Sequence, residues 1–289
     1  MSLQRTRSKV HRKRSRGQIL ELARNETDWA SAADIPKSET ARRLFNGRDF
    51  SGWEGQVATY WFVENGAIRA ANDREVPAST YLFTKKTYRN FRLLFEAKQT
   101  RGEKFPPTMH SAVAVLGEKF QENGEAFGFR GPLLMFCHDW GIWDAHRRNR
   151  IYPAGRDNDR MWQHPSEKVG DWNQIELLVV SDHIRLVNNG ELIVDFIDAP
   201  GMLKSSPIGL QLHSNKSPQE YFFRGLILCQ NPENRLITLK AEAEHTRVSK
   251  RLKLQTAISS TFKRETIVTK IHSELRPRSS AQAMEASHE

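Results

Sequence analysis

Trp172-Asn-Gln-Ile-Glu-Leu-Leu-Val-Val180, then Ser181-Asp182, then His183-Ile-Arg-Leu-Val-Asn188, Asn189-Gly190 and Glu191-Leu-Ile-Val-Asp-Phe-Ile197 form the stretch that decides the fold. Its apolar runs are short, rich in branched and aromatic residues, and cut by turn formers, which is the pattern of strands. Asn189-Gly190 tolerates positive φ at both central turn positions and predicts a type I′ hairpin. Past Pro200 and Pro207, Ile208-Gly-Leu-Gln-Leu-His213 alternates strictly. Ile208, Leu210 and Leu212 take one face, and Gly209, Gln211 and His213 take the other. Tyr221-Phe-Phe-Arg-Gly-Leu-Ile-Leu228 predicts one more strand, with Arg224 inside an apolar run. Strands this short and closely spaced predict an all-β fold, an antiparallel two-sheet sandwich or jelly roll.

Towards the N-terminus the same signals continue. Leu44-Phe-Asn-Gly-Arg-Asp-Phe-Ser-Gly-Trp53, Trp61 to Ile68, Tyr81 to Thr84 and Tyr88 to Lys98 are apolar runs punctuated by Asn46-Gly47 and Asn65-Gly66, with no convincing helix among them. The 289 residues suffice for one large β domain with tails, and the expected division is a basic disordered arm over 1–41, the domain over 42–238, and a tail over 239–289. Within that tail, Lys240 to Gln255 predicts an amphipathic helix and the remainder disorder. Charge follows the division. Met1 to Arg43 carries 11 basic and 5 acidic residues, Leu44 to Thr238 carries 23 of each, and Leu239 to Glu289 carries 10 and 6. The net charge of +10 therefore resides in the tails. A neutral domain argues against a specific nucleic-acid face, while the tails could bind polyanions non-specifically. Cys137 and Cys229 are too few for a disulfide framework and are expected as free thiols. The basic start is followed by no apolar segment of the kind a secretory signal or membrane span needs, so the expected compartment is the cytoplasm.

Six strings occur in order: Leu-Phe-Asn-Gly-x-Asp-Phe-Ser-Gly-Trp at 44–53, Leu-Phe-Thr-Lys-Lys-x-Tyr-x-Asn-Phe at 82–91, Gly170-Asp-Trp-Asn173, Asn-Asn-Gly at 188–190, Ile-Gly-Leu-Gln-Leu-His at 208–213 and Phe-Arg-Gly-Leu at 223–226. Together they resemble the 3-keto-disaccharide hydrolase family, over about residues 42–240. The resemblance implies a concanavalin A-like jelly roll whose concave sheet binds a saccharide oxidised to a ketone at C3. Such a ketone acidifies the C2 hydrogen, so a general base can remove it and the C1 substituent can leave by elimination, with water added afterwards. That chemistry requires a base and an electrophile to hold the enolate oxygen, with a divalent metal as an optional aid. It differs from the two-carboxylate route of ordinary glycosidases.

The resemblance distributes roles among the residues. Gln211 and His213 match the family's Leu-Gln-x-His on one strand face, Gln211 as a substrate contact and His213 as a catalytic group. Arg224 matches the family's Phe-Arg position, where a permanently charged guanidinium could stabilise an enolate; an ion pair inside the sheet is the competing account. In Gly131-Pro-Leu-Leu-Met-Phe-Cys-His-Asp-Trp-Gly-Ile-Trp-Asp144 the family commonly has Glu-x-Gln-x-x-Asp. Aligning the aspartates at Asp139 puts Leu134 and Phe136 in place of its Glu and Gln. His138 and Asp139 remain as catalytic candidates, and His110, Trp140, Trp143, Asp144 and Tyr152 as substrate contacts, the rings being suited to packing on sugar faces. A zinc site from His138, His213 and a carboxylate is what these residues would allow, but no Cys/His spacing demands one. Three functions are thus carried forward: a lyase or hydrolase of 3-keto-glycosides, a non-catalytic lectin-like module that has lost its relatives' Glu and Gln, and, third, a two-carboxylate glycosidase using Asp139 and Asp144.

Overall fold

The structure, a computed structural model, describes residues 29–103, 105–122, 124–137, 140–152 and 164–240. The expected disordered arm is therefore described only from Trp29, and the helix expected over 240–255 and the tail after it lie outside the described residues. The N-terminal segment carries one short helix, α1 (Trp29–Ala32), and then β1 (Ala41–Arg43), β2 (Trp53–Glu54), β3 (Trp61–Glu64), β4 (Ala67–Asn72), β5 (Thr80–Tyr88) and β6 (Phe91–Arg101). The middle supplies β7 (Ala112–Ala114), β8 (Glu118–Glu122), β9 (Glu125–Met135), β10 (Ile142–Ala145) and β11 (Asn149–Tyr152). The stretch that decided the fold becomes β12 (Asn173–Val180), β13 (His183–Asn188), β14 (Glu191–Ile197), β15 (Ser206–Leu212) and β16 (Gln219–Gln230).

These strands make two antiparallel sheets. The outer sheet runs β14-β13-β12-β6-β16-β4-β3 with β1 on β16, and the site sheet runs β11-β10-β9-β7-β15-β5-β2 with β8 on β9. The fold is the expected all-β jelly-roll sandwich. Asn189 and Gly190 sit at φ of 50° and 87°, and Asn65 and Gly66 at 49° and 76°, so both dipeptides make the turns that their tolerance of positive φ permits.

Between the sheets lies the main core. Phe91, Leu93 and Phe95 of β6, Ile175, Leu177 and Val179 of β12, and Tyr221 and Phe223 of β16 meet Leu82, Val113, Leu134, Ile208, Leu210 and Leu212 of the site sheet. Burying each such side chain contributes about 1.5–3 kcal/mol. A second, smaller apolar cluster lies on the far side of the site sheet and includes Tyr81, Phe83, Phe129, Leu133 and Met135.

Residues 29–41 lie against the outer sheet. Ala30 packs on Leu94 and Ile227, the Trp29 amide donates to Glu96, and Arg92, itself fully buried, is held between Glu39 and Glu176. Burial pushes the Glu39 carboxyl up, but the Arg92 guanidinium outweighs it and holds the group below the ordinary value. A buried cation with two carboxylates and two backbone carbonyls, from Glu233 and Arg235, satisfies most of its donors.

Candidate functional site

The parity of β15 places the first site residue. Leu210 and Leu212 enter the core, so Gln211 must project from the opposite face of the site sheet, where it is 2% exposed. Its Nε2 donates to the Tyr81 hydroxyl across the β15–β5 pair at 3.0 Å. Its Oε1 is buried and accepts no hydrogen bond among the described residues. A buried acceptor without a donor is costly and is the natural partner for a ligand hydroxyl.

His213 follows at the end of the strand. Its Nδ1 lies 2.6 Å from the Ser214 carbonyl, which can only accept, so Nδ1 carries the proton and Nε2 is the acceptor of the neutral ring. Burial holds the His213 pKa below the ordinary histidine value, opposed in part by the Ser214 contact, which keeps the ring neutral near pH 7. The His110 ring lies 4.3 Å from that of His213 at 30°, and meets Trp140 edge-on at 6.2 Å.

This histidine pair is clamped from the outer sheet. Gln219 donates to the His213 carbonyl at 2.8 Å, the Tyr221 hydroxyl donates to the His110 carbonyl at 2.9 Å, and the His110 amide donates to Gln99 at 2.9 Å. Glu167 accepts from the adjacent Met109 amide at 2.6 Å. Burial raises this carboxyl to about 7 even though the Met109 bond pulls the other way.

The floor and wall are apolar. A pocket of about 280 Å³ is bounded by Tyr81, Phe129, Leu133, Met135, Trp140, Trp143, Gln211 and His213, with Ser79, His146 and Ser214 at its margin. Trp140 and Trp143 stack at 5.5 Å and 23°, and the Arg150 guanidinium sits 5.3 Å over Trp140. Among the described residues that line the pocket there is no carboxylate.

Of the residues expected from the sequence, the structure thus gathers Gln211, His213, His110, Trp140 and Trp143. Three others stand elsewhere. Arg224 belongs to β16 of the outer sheet, where it pairs with Glu96 at 3.0 Å and covers Trp172 at 4.1 Å. Tyr221 and Phe223 beside it fill the core, so strand parity turns Arg224 away from the site sheet's open face. Asp144 is fully buried and bound by Arg148, which also grips Asp198 with two bonds of 2.8 Å. Its neighbours Trp143 and Ala145 take the open face instead. Tyr152, on the edge strand β11, packs on the main core and lies 6.0 Å from Phe196. His138 and Asp139 lie outside the described residues.

Leu134 and Phe136 also need correction as the counterparts of the family's Glu and Gln. Both belong to the main core, and the open-face positions of β9 are Leu133 and Met135. A one-residue slip in alignment reverses every facing on a strand. Either way, the side chains presented to the pocket by this strand are apolar. Tyr81, Phe129 and Ser79 are further pocket residues that the sequence reading missed; the alternation of Tyr81-Leu82-Phe83 was the available signal, since Leu82 enters the core. No three His, Cys, Asp or Glu side chains among the described residues group as ligands for a metal.

Comparison with curated proteins finds no match. Solved structures with similar folds include two proposed glycosyl hydrolases from Parabacteroides distasonis. One has a TM-score of 0.44 and 18% identity over 66% of this chain and 93% of that one, and the other 0.43 and 16% over 65% and 98%. A carbohydrate-binding module, CBM66 from Bacillus subtilis, has a TM-score of 0.40 and 11% identity over 61% and 93%. The family model of the 3-keto-alpha-glucoside-1,2-lyase-like domain matches residues 40–227, well over half of the sequence, and the chain belongs to that family.

Proposed function

We propose that the pocket on the open face of the site sheet cleaves 3-keto-glycosides by proton abstraction and elimination. The observation that carries this reading is a neutral histidine with its Nδ1 committed to a carbonyl, set beside a buried glutamine that lacks a donor, on a platform of stacked indoles. The sugar ring rests on Trp143, whose stacking partner Trp140 is backed by Arg150. Nε2 of His213 takes the C2 proton, and the C–H electron pair becomes the enolate of the C3 ketone. The second Nε2 hydrogen of Gln211, whose first goes to the Tyr81 hydroxyl, donates to that oxygen, while Oε1 accepts from a sugar hydroxyl. Collapse of the enolate expels the C1 oxygen with its electron pair, and that oxygen takes the proton held on His213 Nε2 and leaves as an alcohol. Water then adds across C1 and C2 of the unsaturated ketone, its hydroxyl to C1 and its proton to C2. The two-carboxylate glycosidase is disfavoured by Asp144, whose carboxylate is consumed by Arg148.

A second reading has its own observation. Leu133 and Met135 make the open face of β9 apolar, with no acid or base on it, which suits a module that binds glycans without turning them over. The saccharide would be the partner in either case.

Turnover of a chromogenic 3-keto-glucoside beside the plain glucoside tests the choice. The expected result is cleavage of the keto compound alone, reduced about 10²–10⁴-fold in His213→Ala. Saturable glycan binding with no cleavage of either compound would replace the lyase by the lectin-like module.

A further inference from the structure

A larger concavity lies at the opposite end of β5. The cleft measures about 370 Å³ and is lined by Arg42 and Arg43 of β1, Lys85 and Lys86 of β5, and the apolar surfaces of Leu44 and Tyr88. Tyr81, at the pocket, and Tyr88, at the cleft, are separated by roughly 20 Å of extended strand.

Two adjacent residues of a regular strand point to opposite faces. Lys85 and Lys86 are both exposed because β5 bulges here: Pro207 of β15 pairs with Thr87 and Gly209 with Phe83, so that Ile208 stands against Thr84, Lys85 and Lys86 together. The Thr84 hydroxyl stitches the interruption, accepting from the Ile208 amide at 3.0 Å and donating to the Lys86 carbonyl at 2.8 Å. A bulge gives up ladder hydrogen bonds, and its effect is to re-aim side chains. Here it delivers two ammonium groups to the cleft that Arg42 of β1 also lines.

No acidic residue lines the cleft. Elsewhere in the domain Arg69, Arg92, Arg148 and Arg224 each face a carboxylate, whereas Arg42, Lys85 and Lys86 make no ion pair among the described residues. In a domain with equal numbers of acidic and basic residues, uncompensated like charges around one concavity favour a bound anion. The half-buried Leu44 and the edge of the Tyr88 ring beside them supply apolar contact of the sort a sugar ring uses.

We propose that this cleft is a second ligand site, separate from the pocket, for an acidic saccharide: a hexose carrying a phosphate or carboxylate group that the Lys85, Lys86 and Arg42 cations hold while its ring lies on Leu44 and the edge of Tyr88. The site does not depend on the reaction assigned to the pocket.

Glucose 1-phosphate, glucuronate, inorganic phosphate and glucose are titrated into the full chain by calorimetry at low and moderate salt. Glucose 1-phosphate and glucuronate are expected to bind with an affinity that falls as salt rises. The Lys85→Ala/Lys86→Ala and Arg42→Ala variants, all at exposed positions, should lose at least tenfold. Trp143→Ala, which removes the sugar platform of the pocket, should leave this binding unchanged, so failure of the cleft and failure of the pocket give different patterns. Binding by the lysine variant equal to that of the wild type, no binding of either acid sugar, or inorganic phosphate binding as tightly as glucose 1-phosphate would each overturn the proposal.

Discussion

Glu167→Gln should remove a pH dependence of stability that the native carboxyl imposes. Glu167 is 9% exposed, accepts one backbone amide and has a second oxygen, Oε2, with no partner among the described residues. Burial raises its pKa from the ordinary 4.5 to about 7. Below pH 4.5 the group is protonated whether the chain is folded or not, and it costs nothing. Between 4.5 and 7 the unfolded chain releases the proton while the folded chain keeps it, so stability falls as pH rises. Above 7 the loss is complete, at about 3 kcal/mol from 1.36 kcal/mol per unit of pKa, which is an upper figure because a relaxing loop admits water. Glutamine keeps an acceptor for the Met109 amide and carries no charge. The variant should therefore match wild type at pH 4 and exceed it by up to about 3 kcal/mol at pH 8, read from urea unfolding midpoints at constant m. A wild-type minus variant difference that stays flat from pH 4 to 8 would show that the carboxyl titrates as an exposed one and that the closed environment described around Met109 is wrong.

Other expectations follow from the two faces of β9, the outer sheet and the His213 ring. Leu134→Glu forces a carboxylate into the main core and should unfold a domain whose total stability is about 5–15 kcal/mol, whereas Leu133→Glu opens onto the pocket and should leave a folded protein by circular dichroism. Arg224→Ala strips Glu96 of its cation and Trp172 of its cover, so a loss of about 2–3 kcal/mol in chemical denaturation with kcat retained is expected; a large fall in kcat at unchanged stability would return Arg224 to the chemistry. Because burial depresses the His213 pKa, the acidic limb of kcat/KM should lie below pH 6.5 and vanish in a variant whose residual activity lacks this base; a limb above 6.5 contradicts the neutral ring.

What the chain disclosed by itself follows from the length scale of each signal. Turns and facings are local, and Asn189-Gly190 and the alternation of residues 208–213 announced the hairpin and the orientation of Gln211 and His213 because φ tolerance and a two-residue period are properties of adjacent residues. For Arg224 the competing account, an ion pair, is what the structure shows, and strand parity would have turned it away from Tyr221 and Phe223. What parity leaves open is which sheet the strand joins, since both sheets bury one face against the same core. That choice is made by pairing, β16 with β6 and β4 and β15 with β5 and β7, across separations that no local pattern encodes. Asp144 illustrates the same limit for charge. An aspartate directly after two closely spaced tryptophans suggests a sugar site, yet its partners are Arg148, four residues away, and through it Asp198, more than fifty residues on. The Leu134 and Phe136 correction has a different origin. An alignment anchored on one aspartate fixes a count of residues but not a facing, and only the neighbours of β9, Ala112 and Ala114 on one side of the sheet and Val113 on the other, settle which of each pair looks outward. The site is therefore legible where it lies along one strand and illegible where it is assembled from several, and most of this pocket, from Tyr81 through Phe129 to Trp143, is assembled.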